Sequence, residues 1–254
     1  MPITEHLGDL RKRIIISLVV ISVAFLITFN FSEDILRFIM FPLKYTIHLS
    51  MKNIHIEFIP QDKLHNIKLV FLAPAEAFWM NIKVATVAAL IISLPIIFFQ
   101  LWKFVSPGLL QKEKRYIVPF VLIATSLFLV GAAFCFFVVL PFAMGFLLTY
   151  NVGDFLSPML SVGNYVDFCL KFILAFGVIF ELPIAVVFFT RIGIVKPKTL
   201  AKNRKYAILI AFIIAAILTP TPDVFNQTLM AVPMIVLYEV GILVSRIFVR
   251  KKVS

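Results

Sequence analysis

The chain has 254 residues, of which 61% are apolar and only 15% are charged. A soluble domain is about half apolar and about a quarter charged, so this composition argues against a soluble fold and indicates that lipid is the solvent. The net charge of +11 suits basic loops that orient a membrane protein. Nucleic-acid binding is not expected, because the basic residues form no surface module with interleaved aromatic side chains.

Six apolar segments are long enough, or nearly so, to cross about 30 Å of hydrocarbon. They predict transmembrane helices at about 14–31, 76–103, 117–140, 168–189, 206–218 and 228–245. The last two spans are short, and the fifth is about 20 Å long as a helix. The sequence therefore predicts an all-α, polytopic membrane protein whose residues 1–254 form a single transmembrane domain.

Basic residues concentrate in alternate loops. They lie before the first span, after the second and fourth spans and in the tail, whereas residues 141–167 and 219–227 contain no Lys or Arg. The positive-inside rule then predicts that both termini are cytoplasmic. Residues 32–83 are the exception, with six basic and five acidic residues, but long loops are translocated with less regard to charge.

The second span belongs to a longer predicted helix, from Pro74 to Phe104. Pro74 suits the first position of a helix, and Glu76 suits the first turn. Trp79 and Trp102 both lie on this helix, about 35 Å apart along its axis. That separation is typical of side chains at the two membrane interfaces.

The outer loop after the first span contains a second helix signal. Ser32 is the predicted cap, Glu33 and Asp34 occupy the first turn, and Pro42 ends an apolar run. These features predict a short helix at the outer interface.

The cysteines and histidines give no metal or cofactor motif. Cys135 and Cys169 lie in apolar surroundings and are interpreted as two buried thiols, with a disulfide left open. His48, His55 and His65 share the outer loop, but their spacing matches no metal site. No cofactor is expected, and no nucleophile motif or phosphate-binding loop indicates an enzyme.

Acidic residues are scarce on the predicted cytoplasmic side. Its loops and tails contain three carboxylates, Glu5, Asp9 and Glu113, among about 17 basic residues. One interpretation is that they form local salt bridges, with Arg11, Lys12, Lys112 or Lys114. The other is a binding site for a cationic ligand, because a carboxylate binds guanidinium in a two-pronged geometry.

Glu181 is the one deep carboxylate of the predicted spans. An ionisable group at membrane depth is costly, so a functional role is the first hypothesis and a structural hydrogen bond the alternative. Gly177 and Pro183 flank Glu181 and favour a kink. Glu239 lies nearer the cytoplasmic end of its span and is interpreted as structural.

Five segments resemble TatC, the core subunit of the twin-arginine translocase. They are His6–Arg13, Phe104–Leu109, Lys112–Arg115, Phe180–Pro183 and Thr219–Gln227. They occur in order and in the right places between six spans, so the resemblance covers almost the whole chain. It implies a receptor for folded proteins that carry an N-terminal twin-arginine signal peptide.

The resemblance also implies which residues carry this function. In the family, the N-terminal region and first cytoplasmic loop recognise the arginine pair. The matching acids are Asp9 and Glu113, Phe104 lies where the recognition loop begins, and Arg11 is assigned to the same site. Two departures stand out, because the family usually has Glu at the position of Asp9 and often lacks the Thr221 that separates two prolines here.

A second implied group of residues lies in or near the membrane. Glu181 matches the glutamate of the family's concave intramembrane face. Asp223 and Gln227 match polar positions around the last outer turn.

The implied partners are twin-arginine signal peptides, folded cargo, and the single-span proteins TatA and TatB. Transport is driven by the proton gradient, and self-association in a receptor complex is expected. The expected location is the bacterial cytoplasmic membrane, with an organelle membrane as the alternative. A proton-coupled solute transporter that uses Glu181 is the main competing function, and a membrane enzyme is the second.

Overall fold

The computed structural model describes residues 3–50, 55–60, 69–105, 117–149, 160–219 and 223–250. The helices are α1 (Ile3–Asn30), α2 (Ser32–Ile39), α3 (Phe41–Lys44), α4 (Glu76–Val105), α5 (Ile117–Phe134), α6 (Leu140–Thr149), α7 (Val162–Phe180), α8 (Leu182–Arg191), α9 (Pro197–Lys202), α10 (Arg204–Leu218) and α11 (Val224–Arg250). A π-helical segment, Cys135–Val139, joins α5 to α6. The strands are β1 (Tyr45–Ser50), β2 (His55–Pro60), β3 (Leu69–Val70) and β4 (Leu160–Ser161).

Two compact units share these elements. The first unit comprises residues 1–41, 67–129 and 159–170. The second comprises residues 42–66, 130–158 and 171–254. The prediction of one transmembrane domain over the whole chain stays a prediction.

Five helical stretches of the described chain are long and apolar enough to cross a membrane. They are Leu7–Asn30, Glu76–Phe104, Ile117–Leu147, Val162–Arg191 and Val224–Ile247. They contain, or nearly match, five of the six predicted spans. The remaining predicted span is α10, whose 15 residues extend about 23 Å, which is less than the hydrocarbon thickness.

In the first unit, α1 and α4 pack as an antiparallel pair. Small side chains line the contact, since Ala24, Thr28 and Ala85 are buried. The Thr28 hydroxyl donates a 2.8 Å hydrogen bond to the carbonyl oxygen of Ala85. Small residues let two helices approach closely in a membrane, where a hydrophobic effect between them is absent. Large apolar side chains of α1, such as Leu18 and Leu26, are exposed and suit contact with lipid.

A carboxylate joins the beginnings of α4 and α7 within the first unit. Glu76 accepts hydrogen bonds from the amides of Leu72, at 2.6 Å, and Gly163, at 2.7 Å. It also accepts one from the Ser161 hydroxyl. Beside it, β3 and β4 pair in parallel. One network of hydrogen bonds to Glu76 therefore fixes the beginnings of both helices.

In the second unit, two glycines mark very close helix contacts. A Cβ on Gly131 of α5 would lie 2.6 Å from the carbonyl oxygen of Phe176 in α7. A Cβ on Gly241 of α11 would lie 3.1 Å from Cα of Pro183 in α8. Both contacts flank the break between α7 and α8, so its backbone is held from two sides.

Some details differ from the sequence-based expectations. Ser32 was expected to cap α2, but it is the first helical residue, and Phe31 precedes it without a side-chain cap hydrogen bond. Trp79 is 57% exposed, as an interfacial side chain requires, whereas Trp102 is buried against the ring of Phe120, 4.0 Å away. The interfacial position of both tryptophans stays a prediction. A tertiary contact, which spacing along a helix does not reveal, covers this ring.

The outer loop also contains an antiparallel hairpin that was not expected, β1 paired with β2. His48 lies on β1 and His55 on β2. Among the described residues, no group of three His, Cys, Asp or Glu side chains is arranged to hold a metal ion. Cys135 and Cys169 are both buried, and no disulfide joins them, so the interpretation as two buried thiols is confirmed.

Candidate functional site

Asp9 lies in the first third of α1 and is paired with Arg13, four residues later. Both Nε and Nη2 of Arg13 donate to the same oxygen, Oδ2 of Asp9, at 3.0 and 2.8 Å. Residues four apart share one face of a helix, so the pair follows from the sequence spacing. The Asp9 side chain is 33% exposed and the Arg13 side chain is 14% exposed.

A second contact holds Arg13 from the neighbouring helix. Nη1 of Arg13 donates to the side-chain carbonyl of Gln100 in α4, at 3.5 Å. Arg13 and Gln100 are each 15 residues from the other α1–α4 contact, Thr28 with Ala85. This common spacing fixes the antiparallel register of the two helices.

The same register brings Asp9 level with Phe104. Asp9 lies four residues before Arg13 on α1, and Phe104 lies four residues after Gln100 on α4, so each is one turn beyond the contact. Two of the predicted site residues therefore lie at the same end of the α1–α4 pair. Glu113, the third, lies outside the described residues.

Arg11 lies away from this face. It is exposed and two residues from Asp9, and residues two apart on a helix do not face each other. Arg11 therefore does not share a face of α1 with Asp9, although the sequence analysis assigned both residues to one site.

The alternative of a local salt bridge is found at Asp9, but with a different partner from those considered. Arg13 and Gln100 are the two residues that sequence reasoning missed. The spacing of Asp9 and Arg13 could have revealed the first of them. The sequence has no signal for Gln100, because it depends on the register of two helices.

Glu181 occupies the single-residue break between α7 and α8. Its amide donates to the carbonyl of Val178 at 3.0 Å, and its carbonyl accepts from the amide of Ala185 at 2.9 Å. Pro183 follows at the start of α8 and has no amide hydrogen to continue the ladder. The predicted interruption at this segment is confirmed, and Glu181 is half-buried there.

Asp223 and Gln227 lie at the beginning of α11. Asp223 Oδ1 accepts from the amide of Asn226 at 2.7 Å, and Oδ2 accepts from the Asn226 side chain at 2.9 Å. Asp223 therefore caps the helix in the usual way. Gln227 is half-buried, and its backbone amide donates to the backbone carbonyl of Asp223. Asn226, which is fully buried, is a further polar residue that was not predicted.

Two further charged pairs lie on the helices that match the predicted spans. Lys83 of α4 donates to both oxygens of Asp167 in α7, at 2.8 Å each. Arg204 binds Glu239 in a two-pronged geometry, with contacts of 2.6 and 2.7 Å. The structural interpretation of Glu239 agrees with this pairing.

These features define a class of protein. Long apolar helices cross the membrane, charged residues are paired near their ends, and a carboxylate lies at a helix break. The chain is a multi-pass α-helical membrane protein.

Comparison with known proteins identifies the family. The family model described as Sec-independent protein translocase protein (TatC) matches residues 5–233. The chain belongs to the TatC family. It is 39% identical to the Sec-independent protein translocase protein TatC of Carboxydothermus hydrogenoformans, over all of this chain and 96% of the relative. It is 38% identical to the TatC of Aquifex aeolicus, over 99% of this chain and 98% of the relative.

A solved structure agrees in both fold and sequence. It is described as the crystal structure of the twin-arginine translocase receptor TatC. The TM-score is 0.79 and the identity 36%, over 95% of this chain and 98% of that chain. Together with the bacterial relatives, the apolar helices identify a multi-pass protein of the cytoplasmic membrane.

Proposed function

We propose that this chain is the receptor subunit of a twin-arginine translocase. It binds the twin-arginine signal peptides of folded proteins and, with TatA and TatB, mediates their transport driven by the proton gradient. It acts as a binding and transport protein rather than an enzyme. The observation that carries the proposal is the position of Asp9, level with Phe104 at the end of the α1–α4 pair, in a chain of the TatC family.

The proposed binding site consists of Asp9, Glu113 and Phe104. Arg11, which was assigned to the same site, is exposed on another face of α1. Guanidinium groups are the cations that best match carboxylates, because their planar fork donates several hydrogen bonds in fixed directions. The surrounding surface is strongly basic, so a cationic peptide is attracted only where these acids lie. Phe104 supplies an apolar surface beside the arginine pair.

A second group of residues acts in or near the membrane. Glu181 lies at the break between α7 and α8, and its carboxylate is proposed to contact a helix of the cargo or of a partner subunit. Asp223 and Gln227 lie at the first turn of α11 and serve the same kind of contact. We also propose self-association of the chain in a receptor complex.

The proposed topology has six spans and cytoplasmic termini, with α10 as the short fifth span. Cysteines that replace Leu72 and Val224 should react with an impermeant thiol reagent added outside sealed cells, because both residues lie outside the predicted spans and the protein leaves both side chains more than 70% exposed. A cysteine that replaces the exposed Lys198 should react only after the cells are opened. Asn226 is unsuitable as a labelling site, because it is fully buried.

The parent chain is the control for this labelling, since its two cysteines are buried. Labelling of the Lys198 variant in sealed cells, together with protection of the other two, would reverse the orientation. The Leu72 variant is the more demanding test, because residues 32–83 are the one outer segment rich in basic residues.

The competing function, a proton-coupled solute transporter, has less support. Such a protein needs a paired ionisable site within the membrane. In the predicted spans, Glu181 is the one carboxylate that lies deep. Membership of the TatC family also favours protein transport.

Deletion of the gene tests the proposed function directly. A reporter with a twin-arginine signal peptide should stay in the cytoplasm of the deletion strain, and a plasmid copy of the gene should restore its export. A reporter with a twin-lysine signal is the matched control and should be exported poorly in every strain. Normal export of the twin-arginine reporter without the gene would contradict the receptor function.

A further inference from the structure

Arg13 is a charged residue that the proposed site does not use, although it contacts Asp9 directly. Two of its nitrogens donate to the same oxygen, Oδ2. Among the described residues, no donor is paired with Oδ1 of Asp9. The two oxygens of the Asp9 carboxylate therefore differ. Arg13 binds Oδ2, and Oδ1 has no partner among the described residues.

The burial of Arg13 holds its guanidinium in place against Oδ2 of Asp9. Its side chain is 14% exposed, whereas that of Asp9 is 33% exposed. The guanidinium also contacts Gln100, so two helices hold it. Displacing Arg13 from Asp9 would leave a mostly buried cation without its counter-ion, which is strongly unfavourable.

We propose that Arg13 is a positioning residue of the signal-peptide site. It fixes the Asp9 carboxylate with Oδ1 directed outward, so that the incoming guanidinium uses this single oxygen. The remaining donors of the ligand must then be satisfied by other groups. This inference rests on the proposed function, because it assigns Asp9 to the binding of the peptide.

A competing role for Arg13 has the opposite consequence. If Arg13 occupied the place of the peptide's guanidinium, its removal would free Asp9 and tighten binding. If Arg13 positions Asp9, its removal lets the carboxylate adopt several rotamers and weakens binding. The sign of the effect therefore separates positioning from competition.

The test is titration of a fluorescent twin-arginine peptide into the purified full-length chain in detergent. Arg13→Gln should weaken binding by about twofold to tenfold, the effect of one ordinary hydrogen bond. Arg13→Lys keeps the charge but not the fork, so it should fall between Arg13→Gln and the parent. In an Asp9→Asn background, Arg13→Gln should have no further effect, because Arg13 acts through the carboxylate.

Each outcome bears on a separate point. Tighter binding by Arg13→Gln, or affinity equal to that of the parent, would overturn the positioning role while the receptor function stands. An equal loss with and without Asp9→Asn would also overturn it, since a general structural defect acts in both backgrounds. A parent chain that binds twin-arginine and twin-lysine peptides equally poorly would overturn the receptor function and this inference together. Thermal melting of each variant in detergent shows that the comparison is made between folded proteins.

Discussion

Replacing Asp9 or Glu113 with alanine should weaken the binding of a twin-arginine peptide by roughly tenfold to a hundredfold. Each removes a hydrogen bond to a charged group, and such a bond is worth about 1.5–3 kcal/mol. A cationic ligand that approaches this basic surface has few other carboxylates to bind. Direct titration of the peptide into purified protein, or crosslinking in membranes, measures the loss.

Arg13 complicates the interpretation of Asp9→Ala, because that variant also leaves a mostly buried guanidinium without its counter-ion. Asp9→Asn keeps the shape and one acceptor oxygen, so it separates the loss of charge from the loss of packing. Asp9→Glu restores the residue that is usual in the family and should retain binding. A comparison of melting temperatures identifies any variant that is merely unstable.

Ligand chemistry supplies the matched control. A twin-lysine peptide should bind weakly to the parent and to both alanine variants, because a compact ammonium group lacks the planar fork of guanidinium. If both alanine variants bind the arginine peptide like the parent, then the two acids do not form the site, whatever the family.

Much of the fold is predictable because the bilayer imposes a simple length rule on apolar segments. The helix predicted from Pro74 to Phe104 is observed as Glu76–Val105, and the interruption at Glu181 was expected from Pro183. The hairpin β1–β2 was not, because outside the membrane no such length rule applies. Trp102 shows the same limit, since its burial depends on the Phe120 ring of another helix.

The candidate site, too, has features that the sequence predicts and features that depend on tertiary contacts. Asp9 is prominent in the sequence because acids are scarce on a basic face. Its pairing with Arg13 follows from helical spacing, but the sequence alone leaves open which of several neighbouring cations binds it. Gln100 and the level position of Phe104 depend on the register of α1 against α4, which small buried residues such as Thr28 and Ala85 determine. Spacing along one helix does not predict the register of that helix against its neighbour.

The carboxylate of Glu181 should be needed for export, and its hydrogen bonding should matter more than its charge. Glu181→Ala removes a polar side chain from a helix break that Pro183 leaves short of a backbone donor. Polar contacts between helices in membranes are worth up to about 1.7 kcal/mol, so export of a twin-arginine reporter should fall by about threefold to twentyfold. Glu181→Gln keeps the shape and the acceptor oxygen and should lose much less.

Val178→Ala is the matched control for Glu181, because Val178 lies three residues before Glu181, near the end of α7, and is 63% exposed. It should leave export unchanged, which would show that truncation of a side chain near the break is harmless in itself. The surroundings of the break are rigid, since Gly131 lies against Phe176 and Phe180 without room for a Cβ. A defect confined to Glu181→Ala, at an unchanged melting temperature, therefore reports on the polar group rather than on a collapsed helix. Export at the parent level by both Glu181 variants would leave this residue with a structural role only.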